Sequence, residues 1–404
     1  MLKNTVYDPA MQRGALECFW TSLKLGLTSF GGPVAHLGYF HEVYVKREKW
    51  LSDERYAELV SLTQFLPGPG SSQLGAAIGY ERAGWLGSLG SWLGFTLPSA
   101  LLMIGFAIGM SSVQEWLGLG WLHGLKIAAI AVVVVALFGM QQKLCTGKKE
   151  AVFAIGALLV LMFTKQAWVQ PVVILIGGLV GAFVFHDRAA KECGESLEKR
   201  SFKARWWHSV VPATLLMVVL MAVPAMFPES RDAMALGGLM HAGALVFGGG
   251  HVVLPLLETS TVDAGLMPKY EFLAGYGAAQ AVPGPMFTFC AFLGAVMGLF
   301  GNPWLGGLAG LVAVFLPGMV LLGGGLPVWD RMKHFSWARA GVRGANATVV
   351  GVLGAALAAM FFGGSVSSIW DVLAIVLLVL ALHFRWLPVW ALVVLAAVIG
   401  AFGL

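Results

Sequence analysis

The chain has 404 residues, of which 58% are hydrophobic and only 12% charged, with a formal net charge of +5 and a mean hydropathy of +0.79. That charged share is about half of what a soluble domain carries, so lipid is the expected solvent for most of the chain. The lack of alternating ten-residue segments argues against a membrane β-barrel, and no GxxxxGK[ST], HExxH or GxSxG run is present to bring ATP, zinc or serine chemistry.

Residues 1–18 are polar and mixed in charge, without an apolar core or a small-residue cleavage site, so no signal peptide is expected. The first unusual stretch is Phe30-Gly31-Gly32-Pro33, followed by His36 and Glu42. The run Lys46 to Arg55 reads as a solvated loop in which Ser52 starts a helix. A second break follows at Gln64-Phe65-Leu66-Pro67-Gly68-Pro69, with Ser71 and Ser72 just beyond it. Then come Trp85-Leu86-Gly87, Leu97-Pro98, Gly124-Leu125-Lys126 and Pro171, spread along long apolar stretches.

Each of these features returns about 217 residues later. The second set is Phe247-Gly248-Gly249-Gly250 with His251 and Glu258, then Gln280-Ala281-Val282-Pro283-Gly284-Pro285 with Thr288. Trp304-Leu305-Gly306, Leu316-Pro317, Gly341-Val342-Arg343 and Pro388 complete it. One ancestral unit of roughly 175 residues is therefore duplicated. The expected organisation is a first repeat at 1–185, a charged linker at 186–208, a connecting transmembrane helix at 209–227 and a second repeat at 228–404.

About thirteen hydrophobic segments are expected, six in each repeat and one between, and the odd segment turns the second repeat over. The fold class is thus an all-α polytopic membrane protein with two homologous halves in inverted topology and broken or re-entrant helices. The linker's excess of Arg188, Lys191, Lys199, Arg200, Lys203 and Arg205 marks it cytoplasmic, and counting back places the N-terminus inside too. The breaks fit spanning helices or re-entrant hairpins; hairpins keep Lys46, Arg47, Lys49 and Arg55 inside as well.

Glycine and proline breaks free backbone N–H and C=O groups that hydrocarbon leaves unsatisfied, so such breaks belong where they line a cavity. Half-helices starting after them would aim free N–H groups at the bilayer middle, which suits an anion. Candidate substrate contacts are therefore Gly31, Gly32, Pro33, His36, Gln64, Pro67, Gly68, Pro69, Ser71 and Ser72 in the first repeat. In the second they are Gly248, Gly249, Gly250, His251, Gln280, Pro283, Gly284, Pro285 and Thr288. Lys126 and Arg343 are matched cations at the starts of apolar helices, either in a pathway or snorkelling to headgroups. Glu42 and Glu258 are candidates for proton coupling. Cys18, Cys145, Cys193 and Cys290 are scattered without metal spacing and read as packing residues; no cofactor or metal is expected.

As a set, the motifs at Phe30–Gly38, Gln64–Gly70, Phe247–Pro255 and Gln280–Pro285 resemble the chromate ion transporter family in its long, two-domain form. The resemblance covers nearly the whole chain, with one departure: Gly250 stands where the first repeat has Pro33. It implies a bacterial inner-membrane protein with oppositely oriented halves that exports chromate and gives chromate resistance, and that is neither an enzyme nor a nucleic-acid binder. Sulfate as substrate, a membrane enzyme, an assembly scaffold and a homodimeric state remain open on the sequence.

Overall fold

The computed structural model describes residues 9–30, 32–117, 120–164, 169–187, 207–227, 229–246, 253–326, 329, 336–362, 366 and 368–403. Among the described residues there are sixteen α-helices and no strand. The first half holds α1 (Pro9–Thr28), α2 (Gly32–Phe40), α3 (Asp53–Phe65), α4 (Gly70–Leu117), α5 (Gly120–Leu144), α6 (Lys148–Phe163) and α7 (Val169–Val184). Helix α8 (Trp207–Met226) connects it to the second half. That half holds α9 (Arg231–Leu245), α10 (Val253–Thr261), α11 (Lys269–Ala281), α12 (Phe289–Val296), α13 (Pro303–Gly325), α14 (Ser336–Met360), α15 (Ile369–His383) and α16 (Val389–Gly403).

Short helices flank every Gly/Pro break. Helix α2 has nine residues and spans about 13 Å, less than half a bilayer core. It runs on through a π-helical turn, His41–Arg47, into the charged loop, and Ser52 then caps α3 by accepting the Arg55 N–H at 3.2 Å. The chain thus leaves one break, turns at the charged loop and runs back along α3 to the other break, forming a helical hairpin. Helices α10 and α11 repeat this shape in the second half.

Helix α4 is two arms. Ala83 and Gly84 leave helical geometry, Gly84 with φ +61°, and the chain reverses there. The arms then touch through glycine, because a Cβ on Gly79 would overlap the Gly87 carbonyl. The second half builds the same pair from α12 and α13, joined by Gly298–Asn302, with Gly294 lying against Gly306. Polar side chains at the first bend form a charged cluster: Arg55 binds Glu58 and Glu81, and Arg82 binds Glu17.

The two halves exchange their last helices. Helix α5 packs on α16 and α15, and α14 packs on α7 and α6. Lipid offers no hydrophobic drive for helix association, so close backbone approach at small residues has to hold such contacts. Gly120 and Gly124 meet Gly400 and Ala396, while Gly344 meets Gly177 and Gly181. The outer faces of the exchanged helices stay apolar and exposed, with Ile155 and Leu159 on α6, Leu175 and Leu179 on α7, Leu373 and Leu377 on α15 and Ile399 on α16. Exposed aliphatic faces of this extent require a lipid surround.

Four helical stretches among the described residues, Gly70–Met110, Gly120–Gln142, Pro303–Gly325 and Ser336–Met360, are long and apolar enough to cross a bilayer. The first remains so after the bend, since the arm beyond Gly84 runs to Leu117. Helices α6 and α7 have 16 residues each, about 24 Å, and fall short of the roughly 20 residues a spanning helix needs. The protein is a multi-pass membrane protein with spanning helices and shorter apolar ones packed around them.

Candidate functional site

The breaks of the two halves meet crosswise. The Gly284 N–H donates to the Ser29 carbonyl at 2.9 Å, and the Gly68 N–H donates to the Val246 carbonyl at 2.8 Å. Ser29 and Val246 occupy the same position before Phe30 and Phe247, and Gly68 and Gly284 are the central glycines of the two Pro-Gly-Pro runs. Each first break is therefore hydrogen-bonded to the second break of the other half, as a two-fold axis between the halves demands.

Glycine is required at both tips. Gly68 has φ +129° and Gly284 φ +98°, conformations that L side chains rarely adopt. Space forbids a side chain as well. A Cβ on Gly68 would lie 2.7 Å from Gln73 Nε2 and 2.9 Å from Gly318 Cα, and one on Gly284 would lie 2.8 Å from Ser99 Oγ. Gly318 and Ser99 each follow the proline of a Leu-Pro pair, so each tip seats against the proline-bearing helix of the other half. Gln73 fastens one seat by donating to Pro67 O at 3.1 Å and Gly318 O at 2.8 Å.

Beside the Ser29–Gly284 contact lies a cavity of about 160 Å³, lined by Gly32, Val132, Val135, Gln280, Gly284 and Leu382 among others. It therefore joins the start of α2 to the end of α11. Gln280 is its polar side chain, and its Nε2 lies 2.9 Å from Met286 Sδ.

The remaining candidates distribute as follows. His36 is fully buried on α2, edge-on to Phe95 with ring centroids 5.2 Å apart. Pro69, Ser71 and Ser72 are buried at the start of α4; Pro67 and Pro283 are partly buried in the two turns. Thr288 is buried, and its hydroxyl donates back to Pro285 O at 2.8 Å, so that proton is already committed. Pro33 and Gln64 lie on α2 and α3. Gly31, Gly248, Gly249, Gly250 and His251 lie outside the described residues.

The charged candidates stand apart from the cavity. Arg343 on α14 donates to Glu150 of α6 at 2.9 Å and to Thr146 at 3.3 Å, with its guanidinium 5.8 Å from the Phe185 ring. Its counterpart Lys126 sits six residues, about 9 Å along α5, from the cavity wall at Val132. On that side His123 takes the carboxylate, at 2.8 Å from Asp371 of α15. Glu150 and Asp371 are both third residues of their helices and both nearly fully buried, and each carboxylate ties one half to the other, although their partners, Arg343 and His123, do not occupy matching positions. Glu42 lies exposed on the π-helical turn, where Lys46, then Arg47, hydrogen-bond it and hold its carboxyl below the usual value. Glu258 pairs with Lys269 at 2.9 Å.

Several residues of this region escape a sequence reading: Ser29, Gln73, Thr96 and Ser99 around the breaks, and Glu150, His123 and Asp371 at the ion pairs. Only Asp371 carries a legible signal, the Ser368-x-x-Asp371 capping box that the structure forms.

A duplicated helical membrane fold whose broken hairpins cross between the halves is the architecture expected of a transporter. The family model described as "Chromate transporter" matches residues 16–182 and 234–401, one match per repeat, and the chain belongs to that family. It is 28% identical over 345 residues to a chromate transport protein of Pseudomonas aeruginosa, covering 84% of this chain and 79% of that one. A chromate transport protein of Cupriavidus metallidurans is 27% identical over 388 residues, covering 94% and 90%. A probable chromate transport protein of Synechococcus elongatus is 30% identical over 300 residues, covering 73% and 71%. No solved structure matches.

Proposed function

We propose that this protein exports chromate from the cytoplasm across a bacterial inner membrane, with its N-terminus inside, and so gives chromate resistance. The observation that carries the reading is the reciprocal pair of hydrogen bonds, Gly284 to Ser29 and Gly68 to Val246, which gathers all the described breaks at the contact between the halves. Broken backbone at membrane depth is tolerated where it lines a cavity, and an inverted repeat places its substrate site at the repeat interface. The relatives' names supply the anion: each of the three is a chromate or probable chromate transport protein.

Energetics favour the outward direction. Each charge leaving an inside-negative cell gains about 2.3 kcal/mol per 100 mV, so a dianion gains about twice that without ATP. Matched acids at Glu42 and Glu258 leave proton coupling as a finer part of the proposal. The test is labelled chromate uptake into inverted vesicles, with sulfate as competitor and with the membrane potential collapsed. Uptake that the potential drives supports export. Equal competition by sulfate would widen the substrate to tetrahedral oxyanions, and absence of uptake would refute the proposal.

A further inference from the structure

The two crossed contacts differ chemically. The segments that meet Gly284 carry Ser29, Thr96 and Ser99; at the matching positions of the segments that meet Gly68 stand Val246, Phe315 and Gly318. Ser29 Oγ, Thr96 Oγ1 and both ring nitrogens of His36 are buried and make no hydrogen bond of normal geometry among the described residues, although the Ser29 backbone lies close enough to interact with the His36 ring. They belong to segments that meet at Gly284. His36 stands edge-on to Phe95, the neighbour of Thr96, and the Gly284 N–H rests on the Ser29 carbonyl. A Cβ on Gly284 would come within 3.3 Å of the Phe95 carbonyl.

Buried polar atoms without partners are few in native proteins, and each costs about 1–3 kcal/mol when left unmet. Several gathered around one break therefore ask for a ligand that completes them. The hydroxyls of Ser29 and Thr96 and the N–H of a neutral imidazole are three donors, a set that suits an anion with several oxygen acceptors. The mirror residues Val246, Phe315 and Gly318 have no side-chain donor.

Building on the transport reading, we propose that the oxyanion binds on one side of the two-fold only, among the neutral donors Ser29, His36 and Thr96 next to Gly284. Lys126 and Arg343 take no part in it. Neutral donors hold a dehydrated anion without the tight Coulomb attraction that would slow its release.

The test uses the full-length protein in lipid nanodiscs, with chromate and sulfate as probes and dissociation constants read by tryptophan fluorescence. Ser29→Ala and the near-isosteric Thr96→Val should each weaken anion binding about tenfold or more, the worth of one hydrogen bond to a charged group. The ligand-free melting temperature should hold or rise, because the removed hydroxyls satisfy nothing within the described protein. Phe315→Leu on the mirror side should keep the wild-type Kd. Unchanged affinity in both hydroxyl variants would mean that these donors hold no anion, and equal weakening by Phe315→Leu would mean that disturbed packing, not the lost hydroxyls, lowers affinity; either overturns the proposal. Failure of the wild-type protein to bind either anion would sink the transport reading along with it, whereas wild-type binding with unaffected variants sinks this placement alone.

Discussion

Gly284→Ala is the sharpest probe of the crossed contacts, because the structure fixes both components of its cost. At φ +98° an alanine is strained by about 1–3 kcal/mol. Its methyl would also lie 2.8 Å from Ser99 Oγ and 3.3 Å from two backbone carbonyls, Gly26 O and Phe95 O. Ser99 yields only by giving up its 3.0 Å bond to Thr96 O, which is worth about 1 kcal/mol. Together these oppose the Gly284–Ser29 contact by about 2–4 kcal/mol, so its population falls roughly thirty- to several-hundred-fold. Initial chromate uptake into inverted vesicles should drop at least tenfold at near-normal membrane abundance, since the other contacts between the halves are untouched. Gly32→Ala is the matched control: its φ is +76°, yet nothing lies within 4 Å of the added carbon, so it should lose less. Ser99→Gly combined with Gly284→Ala should recover part of the loss. Wild-type uptake by Gly284→Ala, or no recovery from the second change, would refute the steric reasoning.

Arg343→Gln should act on stability before affinity: it strands the buried Glu150 carboxylate at a cost of about 3–5 kcal/mol, lowering the melting temperature, and Glu150→Gln in the same chain should restore much of it. A lower chromate affinity at unchanged melting temperature would instead put Arg343 in the pathway. Gly344→Leu should abolish monodisperse protein on size exclusion, because its side chain would enter the Gly177 and Gly181 backbone of α7, whereas Gly139→Leu faces open space and should behave as wild type. For orientation, a cysteine placed within 187–205 should be shielded from an impermeant thiol reagent on intact cells and one at Ser230 should be labelled; the reverse pattern would overturn the cytoplasmic N-terminus.

The repeat was legible because its marks are backbone requirements. Gly68 and Gly284 need conformations that almost only glycine adopts, and a requirement of that kind survives sequence divergence as an identical letter. What no spacing encodes is which break meets which: the crossed bonds join residues far apart in the chain, Ser29 to Gly284 and Gly68 to Val246, and the same motifs would serve a fold in which each half closes on itself. The donors at the site were illegible for another reason. A hydroxyl in an apolar helix usually bonds the carbonyl one turn back, as Thr63, Ser260 and Thr261 do here, so Ser29 and Thr96 look like any of these until their surroundings are known. Lys126 and Arg343 show the converse. Their matched positions suggested a shared role toward an anion, but Arg343 is engaged by a carboxylate from a helix whose placement against α14 follows only from the exchange of α6 and α7 between halves.

Duplication also hides a difference that packing reveals. Helix α11 presents Gly275, Gly277, Ala278 and Ala279, small enough for Gly277 to lie against the Leu125 carbonyl of α5, and so α11 seats on α5 and α16. The corresponding stretch of α3 carries Leu59, Ser61, Leu62 and Thr63, and α3 packs instead on α4 and the π-helical turn, where Leu59 and Leu62 join Phe40 and Tyr44. A β-carbon at position 277 would overlap the α5 backbone, so the two hairpins cannot exchange seats without changing their sequences. The second hairpin is thus built into the shared core, while the first is held by its own aromatic cluster and by Tyr56 donating to Leu37 O at 2.6 Å. Ser29, His36 and Thr96 stand on the side of the first half, where α2 brings His36 and α4 brings Thr96. Symmetry therefore supplies the frame of two crossed breaks, and the departures from it, Ser29 for Val246 and Thr96 for Phe315, decide where within that frame a polar ligand finds partners.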